Sequence, residues 1–136
     1  MGVQFIDNSR EVKLILERAT VKGLEDAARI IKNQTVQNTP VDTGQLKGSW
    51  DHVVDESKLQ ATIGSPLENA IWTEFGTGEY ALNRNGRKTP WRYQDAKGEW
   101  HTTTGKNPVR MLFNAFTTKK NVAIRAVEQA YKDEMK

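Results

Sequence analysis

Cysteine is absent from this chain, which excludes disulfides and thiolate-bound zinc and makes synthesis in a reducing cytoplasm the simplest expectation. Histidine occurs only twice, at His52 and His101, too far apart in sequence to suggest a paired metal site, and each lacks a second ligand at helical spacing. No apolar run approaches the ~20 residues that cross a bilayer. The opening residues MGVQFIDNSREV have no basic region, apolar core or small-residue cleavage site, so no secretory leader is expected. Ile6 stands where myristoylation of Gly2 requires Ser or Thr. What remains is a chain of 136 residues, 37% hydrophobic and 27% charged, which suits one globular domain with a modest core.

The net charge of +3 is mild, but it is unevenly placed. Residues 84 to 110 hold Arg84, Arg87, Lys88, Arg92, Lys97, Lys106 and Arg110 against Asp95 and Glu99. Such a segment reads first as a solvated loop and second as a contact for DNA or an acidic partner, with Arg84, Arg87, Lys88 and Arg92 as its candidates.

Residues 9–38 carry Val12, Leu16, Ala19, Leu24, Ala27 and Ile31 at steps of three to five, which predicts one long helix. Asn8 is placed to cap it, with Glu11 three residues on, and Pro40 ends it by pushing Thr39 out of the α region. Gly23 falls inside the stripe and marks either a bend or a close helix crossing. Beyond Pro40 the period drops to two. Trp50, His52 and Val54 face one side, and Leu59, Ala61 and Ile63 return after the polar DESK turn, which predicts a hairpin within a sheet region 44–75. Residues 69–75 fit a third strand or a short helix. Residues 76–108 read as loop and hairpin arm, with Trp91 and Tyr93 pairing across a turn at 95–98 with Trp100 and Thr102. The segment 109–134 is helical, with Thr117-Thr118 as a weak point where it can break. The order predicts an α+β domain: long N-terminal and C-terminal helices packed on one face of a small antiparallel sheet, with a long protruding hairpin arm. Its core is thin, and a partner can complete it.

Candidate chemistry is sparse. GTGEY (76–80) lacks the third glycine, the GK[ST] ending and the strand–helix setting of a nucleotide loop. Glu74 and Asp42 are the residue types of an acid–base pair, but nothing in the sequence brings them together. Ser49, His52 and Asp55 lie on one short strand and cannot converge as a triad does. Neither an enzyme nor a bound cofactor or metal is expected. A nucleic-acid module has more support, because Trp91, Tyr93 and Trp100 are interleaved with the basic residues as in single-strand stacking platforms. Packing across the hairpin explains the same aromatics without a ligand.

Two stretches in order are more specific than either alone. NTPVDTGQLKGSW (38–50) is followed about 25 residues later by NAIWTEFGTGEYA (69–81), then by the Trp-rich TPWRYQDAKGEWHTTTGKNP and a final helix. This pattern resembles the head–tail joining, or tail-completion, proteins of long-tailed bacteriophages and their prophages, often labelled minor capsid proteins. The chain departs from it at Asn69-Ala70-Ile71-Trp72, where Tyr-Ala is common before the acid, and at Val109-Arg110-Met111-Leu112, where an aromatic and a Pro are common. The resemblance implies a virion protein made in the host cytoplasm, forming a ring in the neck between the head connector and the tail tube. DNA would pass through that ring without sequence-specific contact, and no membrane is involved.

On this reading both motifs are architectural. Asp42 and Thr43 cap a turn after Pro40, with Gly44 at positive φ. Gly76 and Gly78 bend the chain out of the sheet, and Glu74 accepts hydrogen bonds from the amides exposed at that bend. Trp72, Trp91, Tyr93 and Trp100 are then the expected assembly contacts.

Overall fold

A computed structural model describes residues 9–41, 44–84, 86–95 and 97–135. The expected cap at Asn8 and turn residues Asp42 and Thr43 lie outside them. The elements run α1 (Ser9–Asn38), β1 (Asp51–Asp55), β2 (Gln60–Gly64), α2 (Glu68–Phe75), β3 (Trp91–Gln94), β4 (Trp100–Thr103) and α3 (Met111–Glu134). This is an α+β fold with long helices at either end. Its strands form two separate antiparallel pairs, β1–β2 and β3–β4.

The two long helices run antiparallel along each other. Tyr131 meets Thr20 through a hydroxyl–hydroxyl hydrogen bond at one end, and Asn38 Nδ2 donates to the Met111 carbonyl at 3.1 Å at the other. Their contact is lined by small side chains: Ala19, Gly23 and Ala28 are buried on α1, and Ala115, Ala123 and Ala130 on α3. Gly23 therefore marks a close crossing. A Cβ at that position would stand 2.9 Å from the Val127 Cα. The N-terminal part of the predicted stripe lies largely in solvent, since Val12 and Leu16 are exposed.

Thr117 and Thr118 do not break α3, which is continuous through them. Their exposed side chains fold back on the helix, where the hydroxyls donate to the carbonyls of Phe113 at 2.9 Å and Asn114 at 2.8 Å, so both polar groups are satisfied on the helix itself.

The β1–β2 hairpin lies against α1. His52 pairs with Ile63 and Val54 with Ala61, and these four residues are partly covered, as is Gly64 at the end of β2, while Asp51, Val53 and Asp55 face water. The alternation read from the sequence is thus correct, although the strand starts only at Asp51. Residues Lys47–Ser49 before it form a short 3₁₀ turn. Trp50 is buried, and its indole N–H donates to the Thr39 hydroxyl at 2.9 Å. That hydroxyl donates in turn to the Thr35 carbonyl. The residues that end α1 at Pro40 thereby also anchor the tryptophan that starts the hairpin.

Residues 69–75, left open between strand and helix by the sequence, belong to α2. Around it one small core joins Leu46, Trp50, Ala70 and Met111, while a second joins Ile31, Ala115 and Ala123, with Leu112 packed against both. Neither is large. Among the described residues no helix is long and apolar enough to cross a membrane.

Candidate functional site at the root of the arm

Helix α3 begins without a cap of its own. Arg110 occupies the capping position at φ 58° and supplies no side-chain hydrogen bond, which would leave the first amides of the helix unsatisfied. Glu74, at the end of α2, fills the gap from 38 residues away. Its carboxylate accepts from Leu112 N at 2.9 Å and Phe113 N at 3.0 Å. A negative charge at this end of a helix is also favoured by the aligned peptide dipoles. The amides that Glu74 serves are thus those of α3, not those of the 76–78 bend as the sequence reading expected. The reason is topological: the chain after the arm returns beside α2, which no local rule reveals.

Arg110 completes the knot. Its Nε stands 3.5 Å from the Glu74 carboxylate, and its guanidinium lies over the rings of Phe113 (4.3 Å) and Phe75 (5.4 Å). That Nε is buried and has no hydrogen-bond partner among the described residues. Charge attraction and the two aromatic faces hold it instead.

Gly76 and Gly78 serve the same junction. Gly76 takes φ 78° and Gly78 takes φ 62°, the left-handed region that glycine enters without steric cost. The returning strand also passes so close that no side chain fits. A Cβ on Gly78 would lie 2.1 Å from the Thr104 carbonyl oxygen, and one on Gly76 would lie 2.9 Å from that of Lys106. The approach permits a short ladder: Thr77 N donates to Lys106 O at 2.9 Å, Glu79 N to Thr104 O at 3.1 Å, and Val109 N to Thr73 O at 2.7 Å. WTEFGTGEY therefore clamps both ends of the arm to the body and caps the last helix.

From this root the β3–β4 hairpin projects. Among the described residues its strands contact each other and no other element. The register pairs Trp91 with Thr103, Arg92 with Thr102, Tyr93 with His101 and Gln94 with Trp100. The expected pairing of Trp100 with the Trp91–Tyr93 face is thereby corrected. The turn has five residues rather than four, closed by Asp95 N to Glu99 O at 2.8 Å, with the Asp95 carboxylate accepting from Lys97 N and Glu99 N. One added residue moves every later side chain to the opposite face. Tyr93 stacks near His101 (5.4 Å), while Trp100 shares its face with Arg92, whose guanidinium lies 5.4 Å from the indole. Trp91 is partly covered, with Arg87 5.9 Å above it.

The other sequence candidates disperse. Trp72 stands on α2 in the body, not on the arm, and is 52% exposed. Arg84 and Lys88 are exposed in the loop before β3. Pro40 follows α1, and Gly44 adopts φ 80°. His52 Nε2 lies 2.5 Å from the Glu25 carboxylate, Ser49 is bonded to Ser65, and Asp55 holds the amides of Ser57 and Lys58. These contacts tie hairpin to helix or close turns. Among the described residues one group of metal-ligating types converges, Asp95, Glu99 and His101, with ligand atoms within 4.8 Å. There Asp95 is already committed to closing the turn, with Oδ1 on the two amides and Oδ2 2.7 Å from His101.

Beside the root, α1, β2, α2 and the start of α3 enclose an open apolar groove of about 710 Å³. Leu24, Ile31 and Ile63 contribute to its lining, and Ile71, Phe75, Phe113 and Phe116 do so while remaining 44–61% exposed. Sequence reasoning missed it, since its walls come from four elements.

A family model described as "Bacteriophage HK97-gp10, putative tail-component" matches residues 4–76, more than half of the chain. The chain belongs to this HK97-gp10-like family. The match spans α1, the β1–β2 hairpin and α2 through Gly76, and so includes both motif stretches up to the clamp. Membership makes the protein a structural bacteriophage component, located in the virion and in contact with other virion proteins. No curated protein and no solved structure matches the chain significantly.

Proposed function

We propose that this HK97-gp10-like protein is a ring subunit of the phage neck or tail end, joining head to tail or terminating the tail tube. The observation that carries this reading is the hairpin arm, clamped at its root and, among the described residues, contacting no other element of its own chain. An isolated two-stranded hairpin is marginal in water, so an arm of this kind is suited to a neighbour that covers it. The thin double core suits the same arrangement. As a ring, the assembly would use head-to-tail contacts that close by rotation. Its neighbours would be the head connector and the tail tube, with DNA passing through the channel without sequence-specific contact. The roles of Trp72, Trp91, Tyr93 and Trp100 on this reading are contacts between subunits or between rings. The chain would act as one domain.

The test is deletion of the gene from the phage or inducible prophage, with the lysate imaged by negative-stain electron microscopy. DNA-filled heads lying apart from free tails, or tails of irregular length, are the expected result. Intact infectious particles would overturn the reading.

A second reading rests on charge. The basic aromatic arm 84–110 carries seven Lys or Arg against two acids. If this arm grips DNA phosphates, binding should weaken steeply with salt, and removing Arg87 and Lys88 together should lower the slope by roughly 2.

A further inference from the structure

The groove and the hairpin each leave apolar surface uncovered, and they differ in shape and charge in a way that suits one to the other. We infer that the groove receives the Trp100–Arg92 face of the β3–β4 hairpin from a neighbouring copy of this chain. The inference rests on the ring reading above and names the contact that would build the ring.

Trp100 is 59% exposed on a hairpin that, among the described residues, touches no other element of its own chain. The groove offers it Phe113 and Phe116, about half exposed, beside Ile71 and Phe75. Aromatic rings in edge or offset contact are favoured beyond the area they bury.

Charge sets the orientation. Glu68 lies three residues before Ile71 and seven before Phe75, hence on the same face of α2. It is exposed, and no ion pair joins it to another described residue. Arg92 is likewise unpaired by any acid among the described residues and lies against Trp100. Seating Trp100 in the groove carries Arg92 toward Glu68 at its edge. The wider balance agrees, since the arm is the basic part of a chain that is otherwise neutral.

The donor is a different copy. At about 3.3 Å per residue, Trp100 lies roughly 16 Å beyond Gly105 at the clamped root. The groove begins at that root, with Phe75 and Arg110 in its wall. Hairpin and groove are different patches, so each copy both gives and receives. Such a contact is heterologous and propagates around a closed ring. One tryptophan and one arginine bury far less than the ~800 Å² per partner of a stable pair. A single contact is therefore weak, and ring closure or a head or tail template is needed to hold it.

The absence of cysteine permits a direct test in assembled particles. Thr102 pairs with Arg92 across the hairpin and shares the Trp100 face, so Ile71→Cys and Thr102→Cys on separate chains report the proposed contact. Mixed in one phage preparation, they should form a disulfide-linked 71–102 dimer in joined particles. Glu68→Arg should lower the yield of joined particles at least tenfold, and adding Arg92→Glu in the same chain should restore it. Both sites are exposed, and circular dichroism confirms that each variant is folded. Joined particles without the cross-link, or with full yield from Glu68→Arg, overturn the inference and leave the ring reading standing. Cross-linking of Thr102→Cys to a different virion protein also overturns it. The ring reading itself falls only if deletion of the gene leaves particles intact.

Discussion

The molecule contains two antiparallel hairpins of nearly equal length, and they live in opposite surroundings. β1–β2 rests on α1, with His52, Val54, Ala61 and Ile63 turned to the helix and a buried Trp50 at its entry. Among the described residues β3–β4 stands clear of every other element, with Tyr93 and Trp100 in solvent. Both close their turns with an aspartate that accepts backbone amides. Local chemistry therefore forms both hairpins alike. What differs is the support, and with it the consequence of changing a side chain.

The largest contrast should come from the tryptophans. Trp50→Ala removes a buried ring and leaves the Thr39 hydroxyl without its donor, so a loss of about 3–5 kcal/mol in denaturant unfolding is expected. Trp100→Ala should cost under about 0.5 kcal/mol in the isolated protein while reducing assembly. Equal losses would mean that the arm is folded onto the body in solution.

Next comes the clamp that joins the two regions. Glu74→Ala deprives two α3 amides of their acceptor and the Arg110 guanidinium of its counter-charge, with an expected loss of about 2–4 kcal/mol. Hydrogen exchange should show the first turn of α3 and the arm root opening together. If stability is unchanged, water caps the helix and the clamp is not needed.

A smaller effect is expected within the body. Gly23→Ala gains about 1 kcal/mol in helix propensity but drives a Cβ against the Val127 backbone, a clash costing about 1–3 kcal/mol. The neighbour is main chain and cannot rotate away, so a net loss near 1 kcal/mol should appear in thermal melts. A gain would show that the helices part easily.

The smallest effect is that of acid. Asp95 titrates below its ordinary range because His101 and then the Glu99 amide hold its charged form, and Asp55 does so through the Ser57 hydroxyl and then the Lys58 amide. A lowered folded value adds stability that is complete above the ordinary carboxylate pKa of about 4 and is lost as pH falls through the lower folded value. Asp55 is exposed and Asp95 partly so, and screening by water keeps the contribution slight. It should nevertheless separate the hairpins: below pH 4 the amides of β3–β4 lose exchange protection first, because no helix supports them. Simultaneous loss in both hairpins would remove the distinction.

The long helices, the first hairpin and the stop at Pro40 were legible in the sequence, because helix periodicity, alternation and proline act over neighbouring residues. The order of the TPVDTG and EFGTG stretches likewise carried the family. The short helix at 68–75 stayed undecided, since its residues suit a strand as well. Three features depended on contacts between distant segments. Glu74 caps α3 only because the chain returns beside α2 after the arm. Trp100 changes face because five residues, not four, close the 95–99 turn. The apolar groove exists only where α1, β2, α2 and α3 converge. Local chemistry determined which elements form; where they meet was decided by tertiary packing, because burial, close approach and helix capping act between residues that the chain order keeps apart.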